Sequence, residues 1–297
     1  MTGVINIHKE KGYTSHDVVA IMRRVVGTKK VGHTGTLDPD ATGVLPICIG
    51  RATKLAEYIA SEDKTYIAEV ILGIETNTGD VSGEVIATKT VNFDKDAIEQ
   101  AVGSFHFNVR GKYMQVPPMY SAIKIDGKKL YELARKGETI DRPARPVVIH
   151  DIKVLGLEPE KNAFTIEVKC SKGTYIRSLA ADIGQLLGCG ATMGELVRTQ
   201  SGMFSIDKAV KLEELKQAAE DERLAEFILP IDNLLSYPKV YIVGEMLKRA
   251  LNGNPLPLSA IGELNNGEGQ KFWVYSTDRI VGLYVSDSQK LRVEVMM

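Results

Sequence analysis

Segments with the patterns of β-strands and α-helices follow one another along this chain in no regular order. Apolar runs bounded by polar residues and glycines predict strands at Val4–Ile7, Tyr66–Leu72 and Phe164–Lys169. A parallel α/β sheet would need a helix between successive strands, and that alternation is missing here. The order of segments therefore favours an α+β fold with a mainly antiparallel sheet.

Capping signals indicate where the predicted helices begin and end. Thr14 and Asp17 have the spacing of a capping box, and Asp94 is a candidate N-cap. Gly137 and Gly188 are candidate C-terminal caps, because glycine adopts a left-handed conformation at little cost. The predicted helices are one that follows Thr14 and carries Val18, Ile21, Met22 and Val25, and four more over Asp94–Val102, Lys128–Lys136, Ile176–Leu187 and Leu212–Phe227.

A change of pattern near residues 206–237 suggests a domain boundary. An acidic helix rich in Leu and Ala ends at Leu229-Pro230, and Tyr237-Pro238 begins a different pattern. Three short β-rich runs follow, at Phe272–Tyr275, Ile280–Val285 and Leu291–Val295. We therefore predict a larger domain over residues 1–232 and a small β-rich domain over residues 233–297.

The composition excludes several classes of protein. With 44% hydrophobic and 25% charged residues in 297, the chain can bury a core and is not a disordered tail. No stretch approaches the roughly 20 apolar residues that a membrane-spanning helix needs. The N-terminus has no basic segment followed by a long apolar one, so no secretory signal is expected. These features predict a cytoplasmic protein without a membrane anchor.

Neither a metal site nor a nucleotide cofactor is expected. The three cysteines are widely spaced and form no C-x-x-C, and the five histidines include no i,i+4 pair. The glycine patterns that cradle dinucleotides or nucleotide phosphates are missing as well. We predict that the protein works without a cofactor.

Charge is distributed unevenly although the net charge is only −1. Residues 110–150 contain nine Lys or Arg against four Asp or Glu. A basic stretch in a neutral protein can be a face that meets a phosphate backbone. From charge alone, a solvated surface balanced by nearby acids is the favoured interpretation.

The segment Gly32–Gly50 is the most unusual part of the sequence. Glycines and prolines punctuate it, while Leu37 and Val44 offer apolar anchors to a core. Pro39 pushes Asp38 towards an extended conformation, so its carboxylate would project from a stiff loop. Asp38 is therefore a candidate functional residue, and the alternative is an aspartate that only caps a turn.

Two further segments carry candidate residues. In Cys170–Arg177 a strand turns through a glycine into a helix, with Tyr175 and Arg177 at the helix start. An arginine there can pair with a carboxylate from elsewhere, or it can lie on the surface. Tyr66 opens a strand, where its ring can stack on a flat substrate or pack in the core.

Taken together, four motifs resemble the TruB family of tRNA pseudouridine synthases over most of residues 3–205. They occur in the family's order. They are Gly32-His33-Thr34-Gly35-Thr36-Leu37-Asp38-Pro39-Asp40-Ala41-Thr42-Gly43-Val44-Leu45-Pro46, Lys64-Thr65-Tyr66, Gln115-Val116-Pro117-Pro118-Met119-Tyr120-Ser121-Ala122 and Gly173-Thr174-Tyr175-Ile176-Arg177.

The resemblance implies a fold and a reaction. The fold would be a mainly antiparallel mixed sheet of the pseudouridine synthase type with flanking helices, followed by a PUA-like C-terminal domain. The reaction would convert uridine 55 in the T loop of tRNA to pseudouridine. It needs no redox step and no group donor, which agrees with the missing cofactor motifs. The expected partner is the T arm of tRNA, and we expect a monomer without an obligate protein partner.

The resemblance also assigns roles to residues. Asp38 would be the catalytic carboxylate, and Arg177 would pair with it and keep it charged. Tyr66 would stack on the flipped uracil and take part in proton removal, whereas Tyr175 and Leu196 would line the pocket. His33 would hold the everted T-loop bases. In the basic stretch, the resemblance assigns phosphate contacts to Lys128, Lys129, Arg135 and Lys136.

One departure from the family pattern and three alternatives stay open. The family usually opens with a Lys-Pro-x-Gly turn, whereas this chain has Lys9-Glu10-Lys11-Gly12. The alternatives are a guide-RNA-dependent relative acting on ribosomal or small nuclear RNA, a catalytically silent tRNA-binding or tRNA-folding protein, and a hydrolase that uses Asp38 and Asp40. An i,i+2 spacing in an extended segment directs those two carboxylates to different sides, which disfavours the hydrolase.

Overall fold

The computed structural model describes residues 1–121, 123–125, 127–134, 136–138, 140–262, 267–277 and 279–297. The strands are β1 (Gly3–Lys9), β2 (Val31–His33), β3 (Thr42–Ile49), β4 (Lys64–Leu72), β5 (Ile74–Thr76), β6 (Val85–Thr88), β7 (Tyr113–Gln115), β8 (Lys124–Ile125), β9 (Lys128–Lys129), β10 (Arg145–Val147), β11 (Ile149–Glu158), β12 (Ala163–Cys170), β13 (Ala191–Ser201), β14 (Phe204–Ser205), β15 (Lys239–Tyr241), β16 (Leu256–Pro257), β17 (Lys271–Tyr275), β18 (Ile280–Ser286) and β19 (Lys290–Met296). The α-helices are α1 (Ser15–Val25), α2 (Ala56–Ala60), α3 (Lys95–Gly103), α4 (Phe107–Arg110), α5 (Leu130–Ala134), α6 (Ile176–Leu186), α7 (Leu212–Glu220) and α8 (Gly244–Leu251).

The main sheet has the strand order β1-β3-β13-β4-β12-β11, with β2 beside β3 and β14 beside β13. Neighbouring strands run antiparallel except for β13 and β3, which pair in parallel at Val197 with Thr42 and Arg198 with Gly43. The predicted α+β class with a mixed, mainly antiparallel sheet is confirmed.

Flanking helices cover this sheet and complete its core. The core buries side chains from α1, α3, α6 and α7 together with those of the central strands. The capping box of α1 is present, because Thr14 Oγ1 accepts from the Asp17 N–H and the Asp17 carboxylate accepts from the Thr14 N–H. Asp94 likewise caps α3. The local signals for these two helices are confirmed.

Two predicted helices are shorter than expected. Helix α5 begins only at Leu130, since Lys128 and Lys129 form a strand that pairs with β8. Helix α7 ends at Glu220 rather than at Phe227, because Glu222 adopts a left-handed conformation with φ 59°. Its end is a Schellman motif, in which the Arg223 N–H donates to the Ala218 carbonyl and the Glu222 N–H to the Ala219 carbonyl. Residues Leu224–Phe227 then form a 3₁₀ turn.

A second sheet follows near the C-terminus, with the order β15-β17-β18-β19-β16. It has its own core, which includes Val240, Phe272 and Tyr284. Its other face shares a cluster with the main sheet, where Trp273 packs near Val4 and Val44 and donates its indole N–H to the Leu235 carbonyl at 3.0 Å. The C-terminal part is β-rich, as predicted. A separate PUA-like domain beginning at residue 233 stays a prediction.

Within the described ranges, no helix has the length and apolar character that crossing a membrane requires.

Candidate active site

The loop between β2 and β3 is anchored directly before Asp38. Ser15 Oγ accepts from the Leu37 N–H at 2.9 Å and donates to the Leu37 carbonyl at 3.2 Å. Leu37 itself is buried in the core. The buried Thr34 is tied to the Pro46 carbonyl by its N–H at 3.2 Å. These contacts leave the backbone that carries Asp38 little freedom.

The loop is also anchored directly after Asp38. The Pro39 carbonyl accepts from the Gly12 N–H at 3.0 Å and from Lys9 Nζ at 2.9 Å. Lys9 is fully buried, and burial lowers its pKa to about 8. The turn that precedes α1 forms with Glu10 in place of the family's proline, because Gly12 supplies the positive φ of 88°. The departure in sequence therefore leaves this anchor in place.

A buried arginine joins the loop to strand β13. Arg198 is 1% exposed and donates from Nε to the Val44 carbonyl at 2.7 Å and from Nη2 to the Gly35 carbonyl at 3.1 Å. Sequence analysis assigned it no role. The sequence signal for Arg198 was weak: it lies two residues after Leu196, a spacing at which side chains of a strand share a face. Arg198 thereby joins a carbonyl of the loop, that of Gly35, to a carbonyl of β3, that of Val44.

Gly43 permits the close approach of β3 to β13, and it provides a test of this packing. Its φ is +102°, and a Cβ built there would lie 2.2 Å from the Arg198 carbonyl oxygen. We expect Gly43→Ala to lower the free energy of unfolding by about 3 kcal/mol or more, through strain and overpacking together. Urea unfolding measures this.

Gly32→Ala is the matched control for that variant, because a Cβ at Gly32 meets nothing within 4 Å. Its stability should stay within about 1 kcal/mol of the wild type. Equal effects of the two substitutions would contradict the proposed role of the close approach.

Asp38, on the loop between β2 and β3, forms an ion pair with Arg177. Arg177 Nη2 lies 3.1 Å from Asp38 Oδ2 and 3.4 Å from Oδ1. The arginine side chain is 6% exposed, whereas that of Asp38 is 40% exposed and open to a ligand. Arg177 also donates to the carbonyls of Thr78 at 3.1 Å and Tyr120 at 2.8 Å. The structure thus brings these two predicted site residues together across 139 positions of sequence.

Two opposing effects act on the ionisation of Asp38. Burial raises the pKa of its carboxyl group, and Asp80 acts in the same direction. The Arg177 guanidinium lowers the pKa but does not cancel the effect of burial, so the net direction is upward. Pairing with Arg177 therefore makes the pKa of Asp38 lower than burial alone would make it, but the pKa stays above its ordinary value.

Asp80 is a second carboxylate at this site, and none of the sequence motifs includes it. Its Oδ2 lies 3.7 Å from Arg177 Nη1. Its Oδ1 accepts from the hydroxyls of Thr78 at 2.8 Å and Ser82 at 2.5 Å, which explains its place in a turn. The fold brings this same carboxylate to Arg177.

Tyr66 and Leu196 lie on one face of the main sheet. In the register of β4 and β13, Tyr66 is opposite Arg198 and Leu196 is opposite Ala68. Residues two apart on a strand share a face, so the four side chains form one patch. Burial raises the pKa of the Tyr66 phenol, and the Asp38 charge adds to the increase. Tyr66 is therefore a neutral phenol at pH 7.

Tyr175 lies directly before α6 and is half-buried. Its backbone is held on both sides by the Gln115 side chain, which accepts from the Tyr175 N–H at 2.8 Å and donates to the Tyr175 carbonyl at 3.0 Å. Tyr175, which lies two residues before Arg177, thus attaches the start of α6 to the segment that begins at Gln115.

His33 is the last residue of β2, directly before the loop that carries Asp38. Its Nδ1 accepts from the Gly35 N–H at 3.3 Å, and its ring meets His16 edge to face at 5.4 Å between centroids. Burial lowers the pKa of His33 to about 4, with His16 and Arg198 acting in the same direction. His33 is consequently neutral at physiological pH.

Among the residues that the structure describes, no group of three or more His, Cys, Asp or Glu side chains could hold a metal ion.

Comparisons with known proteins indicate the same family as the sequence motifs. A family model described as TruB family pseudouridylate synthase (N terminal domain) matches residues 23–176, and one described as tRNA pseudouridylate synthase B C-terminal domain matches residues 177–236. The chain is 48% identical to tRNA pseudouridine synthase B of Alkaliphilus oremlandii, over 95% of this chain and 92% of the relative. It is 46% identical to the Bacillus subtilis protein of that name, over 85% of this chain and 82% of the relative.

Solved structures give the same result at the level of the fold. A chain from a structure titled "Crystal Structure of a Cbf5-Nop10-Gar1 Complex" superimposes with a TM-score of 0.75 at 28% identity, covering 99% of this chain and 84% of that chain. The family resemblance seen in the motifs is confirmed over most of the sequence. The chain belongs to the TruB family of pseudouridylate synthases.

Proposed function

We propose that the protein converts uridine 55 in the T loop of tRNA to pseudouridine, with Asp38 as the catalytic carboxylate. The observation that carries the proposal is the Asp38–Arg177 pair, which stands on a loop anchored on both sides of Asp38. Relatives at 43–48% identity are named tRNA pseudouridine synthase B, and that name supports tRNA as the substrate.

The reaction is an isomerisation in which atoms and electrons balance. The bond from uracil N1 to the ribose C1′ breaks, the base turns, and C5 bonds to the same C1′. N1 gains a proton and C5 loses one, so no oxidant, reductant or group donor is needed. A fixed carboxylate stabilises or attacks the electron-poor sugar in related glycosidic chemistry.

Tyr66 is proposed to stack on the uracil that has left the T loop. A half-buried phenol with a raised pKa is neutral, which suits stacking and hydrogen bonding better than the removal of a proton. Leu196 lies on the same face of the sheet and supplies an apolar wall, and Tyr175 adds a second ring at the start of α6. The neutral His33 is proposed to hold everted bases by stacking.

Extruding a base costs a few kcal/mol, and the pocket has to offset that cost. Unpaired loop bases are less constrained than paired ones, so a loop uridine is the cheaper target. This reasoning supports the T loop as the place of modification. The proposal also includes action as a monomer, without a cofactor or obligate protein partner, and a cytoplasmic location together with the tRNA pool.

Phosphates of the T arm are proposed to contact the basic stretch 110–150. Lys128 and Lys136 are exposed and flank α5, whereas Arg135 lies outside the described residues. We expect the double variant Lys128→Ala, Lys136→Ala to reduce the slope of log Kd against log salt by about 2, or about one per lost phosphate contact. Filter binding of tRNA between low and moderate salt measures the slope.

Lys216→Ala provides the control for that prediction, since Lys216 is an exposed lysine on the acidic helix α7. It should leave the slope unchanged. A slope equal to that of the wild type in the double variant would contradict phosphate contacts at Lys128 and Lys136.

The function is tested with an unmodified tRNA transcript tritiated at uracil C5 and the purified protein alone. One tritium released to water per tRNA, with pseudouridine mapped to position 55, is the expected result. A transcript with cytidine at position 55 is the control and should release none. Absence of release from protein that binds the tRNA would refute the proposal.

The same experiment distinguishes the remaining alternatives. A guide-RNA-dependent enzyme would be inactive without added RNA and protein partners. A silent tRNA-binding protein would bind and release no tritium. A hydrolase would liberate free uracil, which chromatography detects.

A further inference from the structure

The segment that starts at Gln115 is attached to the start of α6 at several points. Besides the two bonds between Gln115 and Tyr175, Ser178 Oγ donates to the Val116 carbonyl at 2.9 Å. Further along the segment, the Tyr120 carbonyl accepts from Arg177 at 2.8 Å. The first turn of α6, which carries Arg177, therefore takes its position from this segment as well as from the core below.

The Gln115 side chain has the chemistry that this attachment needs. It is 1% exposed, and its amide uses the oxygen towards the Tyr175 N–H and the nitrogen towards the Tyr175 carbonyl. An apolar side chain of equal length would satisfy neither group. Each buried backbone group left without a partner would carry a desolvation cost.

A single nitrogen of Arg177 connects the segment to the catalytic carboxylate. Nη2 donates to the Tyr120 carbonyl and also faces both oxygens of Asp38. Between Gln115 and Tyr120 lie Pro117 and Pro118, whose rings fix φ and make the connection stiff. The attachment at Gln115 consequently determines where the Tyr120 carbonyl lies, and with it the direction of the guanidinium.

We propose that Gln115 is a positioning residue, which holds the first turn of α6 so that Arg177 faces Asp38 in its productive geometry. The inference rests on the proposed function only in taking Asp38 as the catalytic carboxylate. The geometry between Gln115, Arg177 and Asp38 can be measured without catalysis.

The ionisation of Asp38 reports the position of Arg177. The charged groups that act on Asp38 are Arg177 from α6, Asp80 from the turn between β5 and β6, Lys9 from β1 and Asp40 from the same loop. Of these four, only Arg177 lies on the element that Gln115 holds. If the guanidinium moves away, the pKa of Asp38 rises further, because burial and the two other carboxylates are then opposed by Lys9 alone.

The experiment titrates Asp38 by NMR in protein labelled with ¹³C at the aspartate carboxyl carbon. The signal is assigned by its loss in Asp38→Asn. The test variant is Gln115→Met, which keeps the length of the side chain and removes both hydrogen bonds to Tyr175, together with the bond from Nε2 to the Tyr113 hydroxyl at 3.5 Å. The control is Gln217→Met, because Gln217 is exposed on α7 and its side chain bonds Asp221, four residues further along the chain.

In Gln115→Met we expect the pKa of Asp38 to rise by about one unit. The single-turnover rate at saturating tRNA should fall about 100-fold, since small displacements of catalytic groups have effects of that size. The Kd for tRNA should stay within about twofold, and Gln217→Met should behave as the wild type in every measurement. A general loss of folded protein would lower the amplitude of activity without moving the pKa.

An unchanged titration of Asp38 in folded Gln115→Met would overturn the inference. If that variant does not fold, Ser178→Ala decides, because it removes the neighbouring bond to Val116 and should move the pKa in the same direction by less. An unmoved pKa there overturns the inference as well. If the wild-type protein is inactive on tRNA but the titration of Asp38 still shifts in Gln115→Met, the proposed function is refuted and the positioning role of Gln115 stays in place.

Discussion

Asp38→Asn is expected to lower the single-turnover rate of pseudouridine formation by about 10⁴-fold or more, while the Kd for tRNA changes by less than about threefold. Asparagine has nearly the same shape, so the loop anchored by Ser15 and Lys9 should keep its conformation. It has no negative charge, however, and cannot stabilise or attack the sugar. The loss should therefore fall on the chemical step rather than on binding.

The measurement is tritium release in single turnover, with binding followed on filters in parallel. Asp40→Asn is the matched control, because Asp40 lies two residues further along the same loop and its side chain is exposed. It should retain activity within about threefold of the wild type. Comparable losses in the two variants would favour a mechanism with two carboxylates, and a rate in Asp38→Asn close to that of the wild type would remove Asp38 from the chemistry.

Arg177→Met is expected to reduce the rate at pH 7 by about 10²- to 10³-fold, the usual effect of removing one preorganised charged donor. It should also change the pH dependence. In the wild type the pKa of Asp38 is already raised by burial, and Arg177 lowers it. Without the guanidinium the pKa rises further, so ionised Asp38 forms only at higher pH. The acidic limb of the pH–rate profile should therefore shift to higher pH, and part of the activity should return as the pH increases.

Single-turnover rates between pH 5 and 9 measure that shift. Arg223→Met provides the control, since Arg223 pairs with Glu226 on the surface and acts on no residue of the site. Its profile should match that of the wild type. An acidic limb that stays in place in Arg177→Met would mean that the pair does not control the ionisation of Asp38.

Local patterns in the sequence predict much of this protein. The capping residues Thr14 and Asp94 predict where two helices begin, and the stiff loop around Asp38 is visible in its glycines and prolines. These signals depend on residues a few positions apart. The roles of Asp38 and Arg177 came from the family resemblance, since each residue taken alone has an ordinary structural interpretation.

The parts that sequence reasoning missed depend on contacts between distant residues. Arg198 reaches the Gly35 carbonyl across 163 positions, and Asp80 reaches Arg177 from a turn that explains its presence without any role. Gln115 holds a backbone 60 positions away. No period or spacing encodes such contacts, because they follow from strand register and from the order of strands in the sheet. The shorter helices α5 and α7 were missed because a strand and a left-handed Glu222 compete with helical spacing.

The insertion of β13 between β3 and β4 has a consequence for synthesis of the chain. Strands β3 and β4 leave the ribosome early, yet their shared neighbour begins only at Ala191. Until then two apolar strands have unpaired edges. Pairings of such sequence separation form slowly, so we expect the catalytic loop to become ordered late in folding. A nascent chain stalled before β13 should be the species most prone to aggregate and most dependent on chaperones.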